Sequence, residues 1–144
     1  MTSSPTSGTV SATSSVTPGR VVAAASVLGL LGVAAGAFGA HALRDAVPAT
    51  DLAIWKTAAH YQQLHAAVLL GVAALGRDGF SKALRVASIA FVVGIVVFAG
   101  TLDAIVLGGP RILGAVTPLG GLCLMAGWAA LVVHGVALGR TTRR

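Results

Sequence analysis

The chain is expected to be an all-α polytopic membrane protein, an up-down-up-down bundle of four transmembrane helices. Three observations predict it. Apolar stretches at residues 21–43, 58–75, 83–107 and 112–138 fill most of the 144 residues, and a crossing helix needs only about 17–25 such residues at roughly 1.5 Å each. Hydrophobic residues make up 56% of the chain and charged ones 10%, against about 25% charged in a soluble domain. The connections are short, which forces sequential helices to run antiparallel and leaves no room for a separate catalytic domain.

Residues 1–19 are mostly Ser, Thr, Pro and Gly without a charge. Such a segment buries too little apolar surface to offset its ordering entropy, so an unstructured cytoplasmic tail is expected. The membrane domain is placed at 20–139. Its first helix, 21–43, is read as retained rather than cleaved, because it exceeds the usual apolar core of a signal peptide and no basic residue precedes Arg20. The connection at 44–50 contains Pro48, and Asp51 has the chemistry of an N-cap, so a second helix is predicted over 53–75. A polar turn at 76–82 opens with Gly76 and leads to a third helix, 83–107. Gly108, Gly109 and Pro110 stop that helix, and a fourth follows over 112–138. Residues 140–144 form a basic C-terminus.

Charge placement sets the expected orientation. With four crossings, Arg20, Arg77, Lys82, Arg85, Arg140, Arg143 and Arg144 share one side, against Arg44, Lys56 and Arg111 on the other. The excess of Lys and Arg predicts a plasma-membrane protein with both termini cytoplasmic. The formal charge of +6 therefore belongs to the segment ends, and no aromatic-plus-basic cluster suggests a nucleic-acid partner. Trp55 stands where an interfacial anchor belongs. Cys123, the single cysteine, excludes an internal disulfide. Gly32, Gly36 and Ala40 form a small-residue stripe on the first helix, and Gly120, Gly121 and Gly127 do so on the fourth. These are expected to bring helices into close contact, within the bundle or between copies.

The polar residues within the stretches are the functional lead, because polar groups in hydrocarbon are costly. His41, Thr57, His60, Tyr61, His65, Thr101, Asp103 and Thr117 are expected to form a cluster in the outer half of the membrane, either a hydrogen-bonded polar core or a pocket. Thr57, Tyr61 and His65 recur at four-residue spacing and are expected to face inward. Thr117 and Pro118 are placed about a turn and a half into the fourth helix. Asp103 is expected to bond His60, His41 or Tyr61, or else to reach Arg111 at the headgroups.

GAFGAHAL at 36–43, the Trp55-x-Thr57-Ala58-x-x-Tyr61-Gln62-x-x-His65-Ala66 run, Phe98-x-Gly100-Thr101-Leu102, and LGAVTPLGG at 113–121 followed by Ala126-Gly127-Trp128 occur in this order. Together they resemble a family of small four-helix bacterial inner-membrane proteins of unknown function typified by YgdD and YwdK. The resemblance covers residues 21–138. It implies a four-helix plasma-membrane protein and supplies no reaction, substrate or cofactor. His41, Thr57, Tyr61, His65, Thr101, Thr117 and Pro118 match the family pattern. His60 departs from it, and so does Asp103, where the family usually has an aromatic residue.

No nucleophile elbow, carboxylate pair or zinc-ligand spacing is present, so no enzymatic activity and no cofactor are expected. The leading expectation is a structural or accessory protein of a membrane complex, surrounded by lipid and joined by a membrane-protein partner or by copies of itself. A small transporter or channel-forming oligomer is the alternative. A haem, quinone or metal binder using the outer-half histidines is the third, with His41 and His60 as the haem pair and Asp103 joining them as ligands of a metal.

Overall fold

The computed structural model describes residues 16–141. It is all-helical: α1 spans Pro18–His41, α2 Ala49–Leu75, α3 Lys82–Val106 and α4 Thr117–Thr141, with a short 3-10 segment at Arg111–Ala115. The expected tail falls mostly outside the described residues. Its end does not, because Pro18 and Gly19 already belong to α1. The Thr17 hydroxyl accepts from the Arg20 amide, and Pro18 occupies the first turn, where its missing N–H costs nothing. Of the basic terminus, Arg140 and Thr141 continue α4; the rest lies outside the described residues.

Two helix starts differ from the sequence expectation. The first turn of α2 begins at Ala49 rather than residue 53, with Pro48 at the cap position and no side-chain cap bond. Asp51 is not the cap. It lies inside the first turn, where its charge favours the positive end of the helix. On the fourth segment, Pro118 lies in the first turn of α4 instead of well inside a longer helix. A proline deep in an α-helix removes a backbone bond and clashes with the preceding turn. Residues 111–115 therefore wind as a separate 3-10 segment and the α-helix starts at Thr117. The stop read at Gly108 is found, with the chain turning there at φ 94°, and Ser81 caps α3 through the Leu84 amide at 3.2 Å.

Neighbouring helices are antiparallel, and each packs on the next: α1 on α2, α2 on α3, α3 on α4. The four helices run up and down as expected, but they do not close on one another. α1 touches α3 only lightly, and neither α1 nor α2 brings its backbone near α4. The helices make an open series whose inner members are α2 and α3. Leu69, Val72, Leu84 and Phe91, all on α2 or α3, are the largest fully buried side chains. They belong to one cluster that also takes Val21 from α1 and Leu124 from α4. A second, smaller cluster of Leu43, Trp55 and Val106 closes the opposite end.

The outer faces carry the lipid signature. Leu30 on α1 is 70% exposed and Val132 on α4 is 66% exposed. Three segments, Pro18–His41, Lys82–Val106 and Arg111–Arg140, are long and apolar enough to cross a membrane. With 27 residues α2 is long enough, but it carries more polar side chains than any other helix and is less apolar.

Candidate functional site

The polar chemistry of the molecule is concentrated on α2. Its buried stripe is Trp55, Ala58, Ala59, Gln62, His65, Ala66, Leu69, Val72 and Ala73, the three- and four-residue rhythm of a core-facing helix. Three side chains on α2 reach across to backbone carbonyls of α1. The Trp55 indole donates to Ala35 at 2.7 Å, the Gln62 amide to Leu28 at 2.9 Å and the Gln63 amide to Gly32 at 2.7 Å. The α1 glycines make this reach possible. A Cβ at Gly32 would lie 2.9 Å from the Gln63 side chain, and one at Gly36 would lie 3.1 Å from the Gln63 amide nitrogen. Trp55 is buried against Gly39 and Phe38, so it is an interior packing residue and not the expected interfacial anchor.

α3 and α4 are joined by Thr101 and Thr117, whose hydroxyls are 2.8 Å apart. Thr101 can donate to the Val97 carbonyl at 2.7 Å while accepting from Thr117, which satisfies both hydroxyls. Beside this pair the backbones meet at Gly120, where a Cβ would stand 2.5 Å from the Phe98 amide nitrogen. Gly127 makes room for the Phe91 ring. Gly121 has no contact closer than 4.0 Å and is not part of this close approach.

The remaining expected site residues divide. His65 is buried; its Nδ1 lies 2.8 Å from the Tyr61 carbonyl and its Nε2 lies 3.4 Å from the Trp128 indole nitrogen. An indole N–H can only donate, so Nε2 accepts and Nδ1 carries the proton donated to Tyr61. Thr57 is exposed and bonds back to Ala53 on its own helix, and Tyr61 is 40% exposed. The expected inward face of Thr57, Tyr61 and His65 therefore does not form. Four residues advance a helix by about 40° beyond a full turn, so only His65 reaches the buried stripe. Because α2 begins early, Tyr61 stands at mid-helix, not in the first turns.

His41 and His60 are exposed, and among the described residues no three His, Cys, Asp or Glu side chains converge as a metal site would require. Asp103 does not bond His60, His41 or Tyr61. Its Oδ1 is buried without a hydrogen-bond partner, and among the described residues no ion pair links it to Arg111.

Since α2 and α4 both lie on α3 without closing on each other, a cleft of about 640 Å³ opens between them. Tyr61 and His65 form one wall, Phe98 the floor, and Pro118, Met125 and Trp128 the other wall. The Tyr61 ring stacks on Phe98 with centroids 4.7 Å apart and on His65 at 5.7 Å. Trp128 meets His65 and Phe91 edge-on. Sequence reading overlooked Gln62 and Gln63 as helix ties and Trp128 as the partner of His65. The signal was available: two adjacent amides in an apolar run are costly unless bonded, and the Gly32/Gly36 stripe exposes the carbonyls they need.

A family model described as a protein of unknown function, DUF423, matches residues 35–121. The chain belongs to the DUF423 family. The inner membrane protein YgdD of Escherichia coli K12 is 34% identical over 116 residues, covering 81% of this chain and 88% of YgdD. The membrane protein YwdK of Bacillus subtilis 168 is 38% identical over 109 residues, 74% of this chain and 88% of YwdK. A Staphylococcus saprophyticus membrane protein is 37% identical over 106 residues, 72% of this chain and 86% of its own length. No solved structure matches the chain. The DUF423 match takes in the Trp55–Ala35 tie, the Thr101–Thr117 pair and the Gly120 contact, while the acceptors of the Gln62 and Gln63 ties lie before it. The resemblance read from the four motifs is thus correct, and the family is described as one of unknown function.

Proposed function

We propose that this DUF423 protein is a non-catalytic, accessory subunit of a membrane complex. In this reading all four helices cross the plasma membrane and both termini are cytoplasmic. The observation that carries it is the use made of the polar side chains. Trp55, Gln62 and Gln63 hold α1, and Thr101 with Thr117 holds α4 to α3. Hydrogen bonds between helices in lipid fix register and separation, and each is worth about 1 kcal/mol or less. A body that uses these five side chains to fix its own register offers neighbours a fixed apolar surface. The same ties support α2 as a fourth span, because its two amides are already bonded when surrounded by hydrocarbon. The small transporter reading is less well served. α1 and α4 do not meet, so a passage would have to be built between copies.

Purification of the tagged full-length protein in mild detergent, followed by mass spectrometry, is expected to recover a membrane-protein partner in constant ratio. A monomer or homo-oligomer from every preparation defeats the proposal. The orientation is tested separately. Arg144→Cys in a Cys123→Ala background is expected to react with an impermeant maleimide only after the cells are opened, and labelling of intact cells reverses the topology.

A further inference from the structure

We propose that the cleft between α2, α3 and α4 binds a neutral, lipid-soluble molecule with a flat ring bearing a hydrogen-bond-accepting carbonyl, the chemistry of an isoprenoid quinone. Access is lateral. The backbones of α2 and α4 stay apart, bridged by the His65–Trp128 contact, and both helices expose large apolar side chains beside the cleft, including Leu64 at 47% and Leu122 at 55%. Whatever enters arrives from the bilayer, so it must partition there. The cleft volume of about 640 Å³ suits a small-molecule head group, for which pockets typically run about 300–1,000 Å³.

The lining sets the chemistry further. No Lys, Arg, Asp or Glu side chain borders the cleft, so a charged head group such as a phosphate would be desolvated without a counter-charge. The Phe98–Tyr61–His65 ring series forms a stacked shelf, and offset stacking favours a flat conjugated ring over a flexible chain. Met125 on the opposite wall adds a polarisable thioether. One polar group on these walls has an unmet demand. Among the described residues the Tyr61 hydroxyl makes no hydrogen bond, although it stands at mid-helix. His65 cannot supply it, because both ring nitrogens are engaged by Tyr61 O and Trp128. With α2 taken as a fourth span, the reading proposed above on which this inference rests, the hydroxyl faces hydrocarbon, where lacking a partner is costly, and a carbonyl oxygen on the ligand would satisfy it. The bond would be to a neutral acceptor, in keeping with the uncharged walls.

The test uses the full-length protein in phosphatidylcholine nanodiscs with decylubiquinone as probe, read by quenching of tryptophan fluorescence. Saturable quenching is expected in the parent and absent in Trp128→Phe, whose remaining Trp55 lies at the α1–α2 interface. Tyr61→Phe keeps the ring shelf and removes only the hydroxyl. It is expected to weaken binding about fivefold, the factor of one hydrogen bond. Gly121→Leu fills the cleft from a position with no contact inside 4.0 Å and is expected to abolish saturation while keeping the helical circular dichroism of the parent. Competition separates ligand classes: decylbenzene has the ring without the carbonyl, and methyl decanoate the carbonyl without the ring. Equal competition by either one overturns the proposal, as does saturation that survives Gly121→Leu or an affinity unchanged by Tyr61→Phe. An acyl lipid as the true occupant would be revealed by methyl decanoate competing as well as the quinone.

Discussion

Replacing Gly120 by valine should separate α3 from α4 and destabilise the protein by about 1–3 kcal/mol or more, the range for overpacking a tight contact. The first added carbon would lie 2.5 Å from the Phe98 amide nitrogen and 2.8 Å from its Cα. Both are backbone atoms, so no rotamer change relieves the clash and one helix must move. Moving it also breaks the Thr101–Thr117 bond one turn away. Two glycines on the same helix serve as controls. Gly121→Ala meets its first atom at 4.0 Å and Gly135→Ala meets nothing within 4 Å, so both should leave stability within about 0.5 kcal/mol or raise it slightly through helix propensity. The measurement is the midpoint of unfolding by SDS titration in mixed micelles. If Gly120→Val unfolds at the same SDS fraction as Gly135→Ala, the close α3–α4 approach is wrong.

The second large effect is expected at Trp55. Truncation to alanine should cost about 3–5 kcal/mol, as for a buried aromatic side chain, and should loosen the end of the molecule held by Leu43, Trp55 and Val106. Trp55 is only 5% exposed, its ring centre lies 5.6 Å from that of Phe38, and its indole bonds the Ala35 carbonyl. Trp55→Phe separates the terms, because it keeps most of the packing and loses the hydrogen bond, for about 1 kcal/mol. Trp128→Ala is the counterpart. That residue is 46% exposed and should lose less than half as much. An equal loss at the two tryptophans, in the same SDS titration, would mean that Trp55 is an interfacial anchor after all.

How much of this was legible beforehand depends on which physical signal each feature leaves. Helix number and the turns were readable, because Gly76, Gly108 and Pro110 interrupt apolar runs for local steric reasons. The start of α2 was not. Asp51 has cap chemistry, but Pro48 serves as the cap without a side-chain bond, and the four-residue difference moved Tyr61 from a helix end to its middle. The start of α4 was misjudged although Pro118 marked it. The open order of the helices left no local trace: a small-residue stripe permits close approach but does not name the partner. Among the site residues, Thr117 and His65 are buried as polar core residues should be, whereas Thr57 and Tyr61 drift off the buried stripe. Asp103, singled out as the lone acid in a span, finds none of its expected partners. The amides of Gln62 and Gln63, not singled out for any role, tie two helices together.

The open series also bears on how the protein is made. Every extensive contact joins a helix to the one synthesised immediately before it. Each segment leaving the ribosome therefore finds its docking surface already in place, and the last helix never has to search for the first. Such a chain can mature step by step as it is inserted, with little delay between synthesis and assembly, because its interactions are nearly all between neighbours in order.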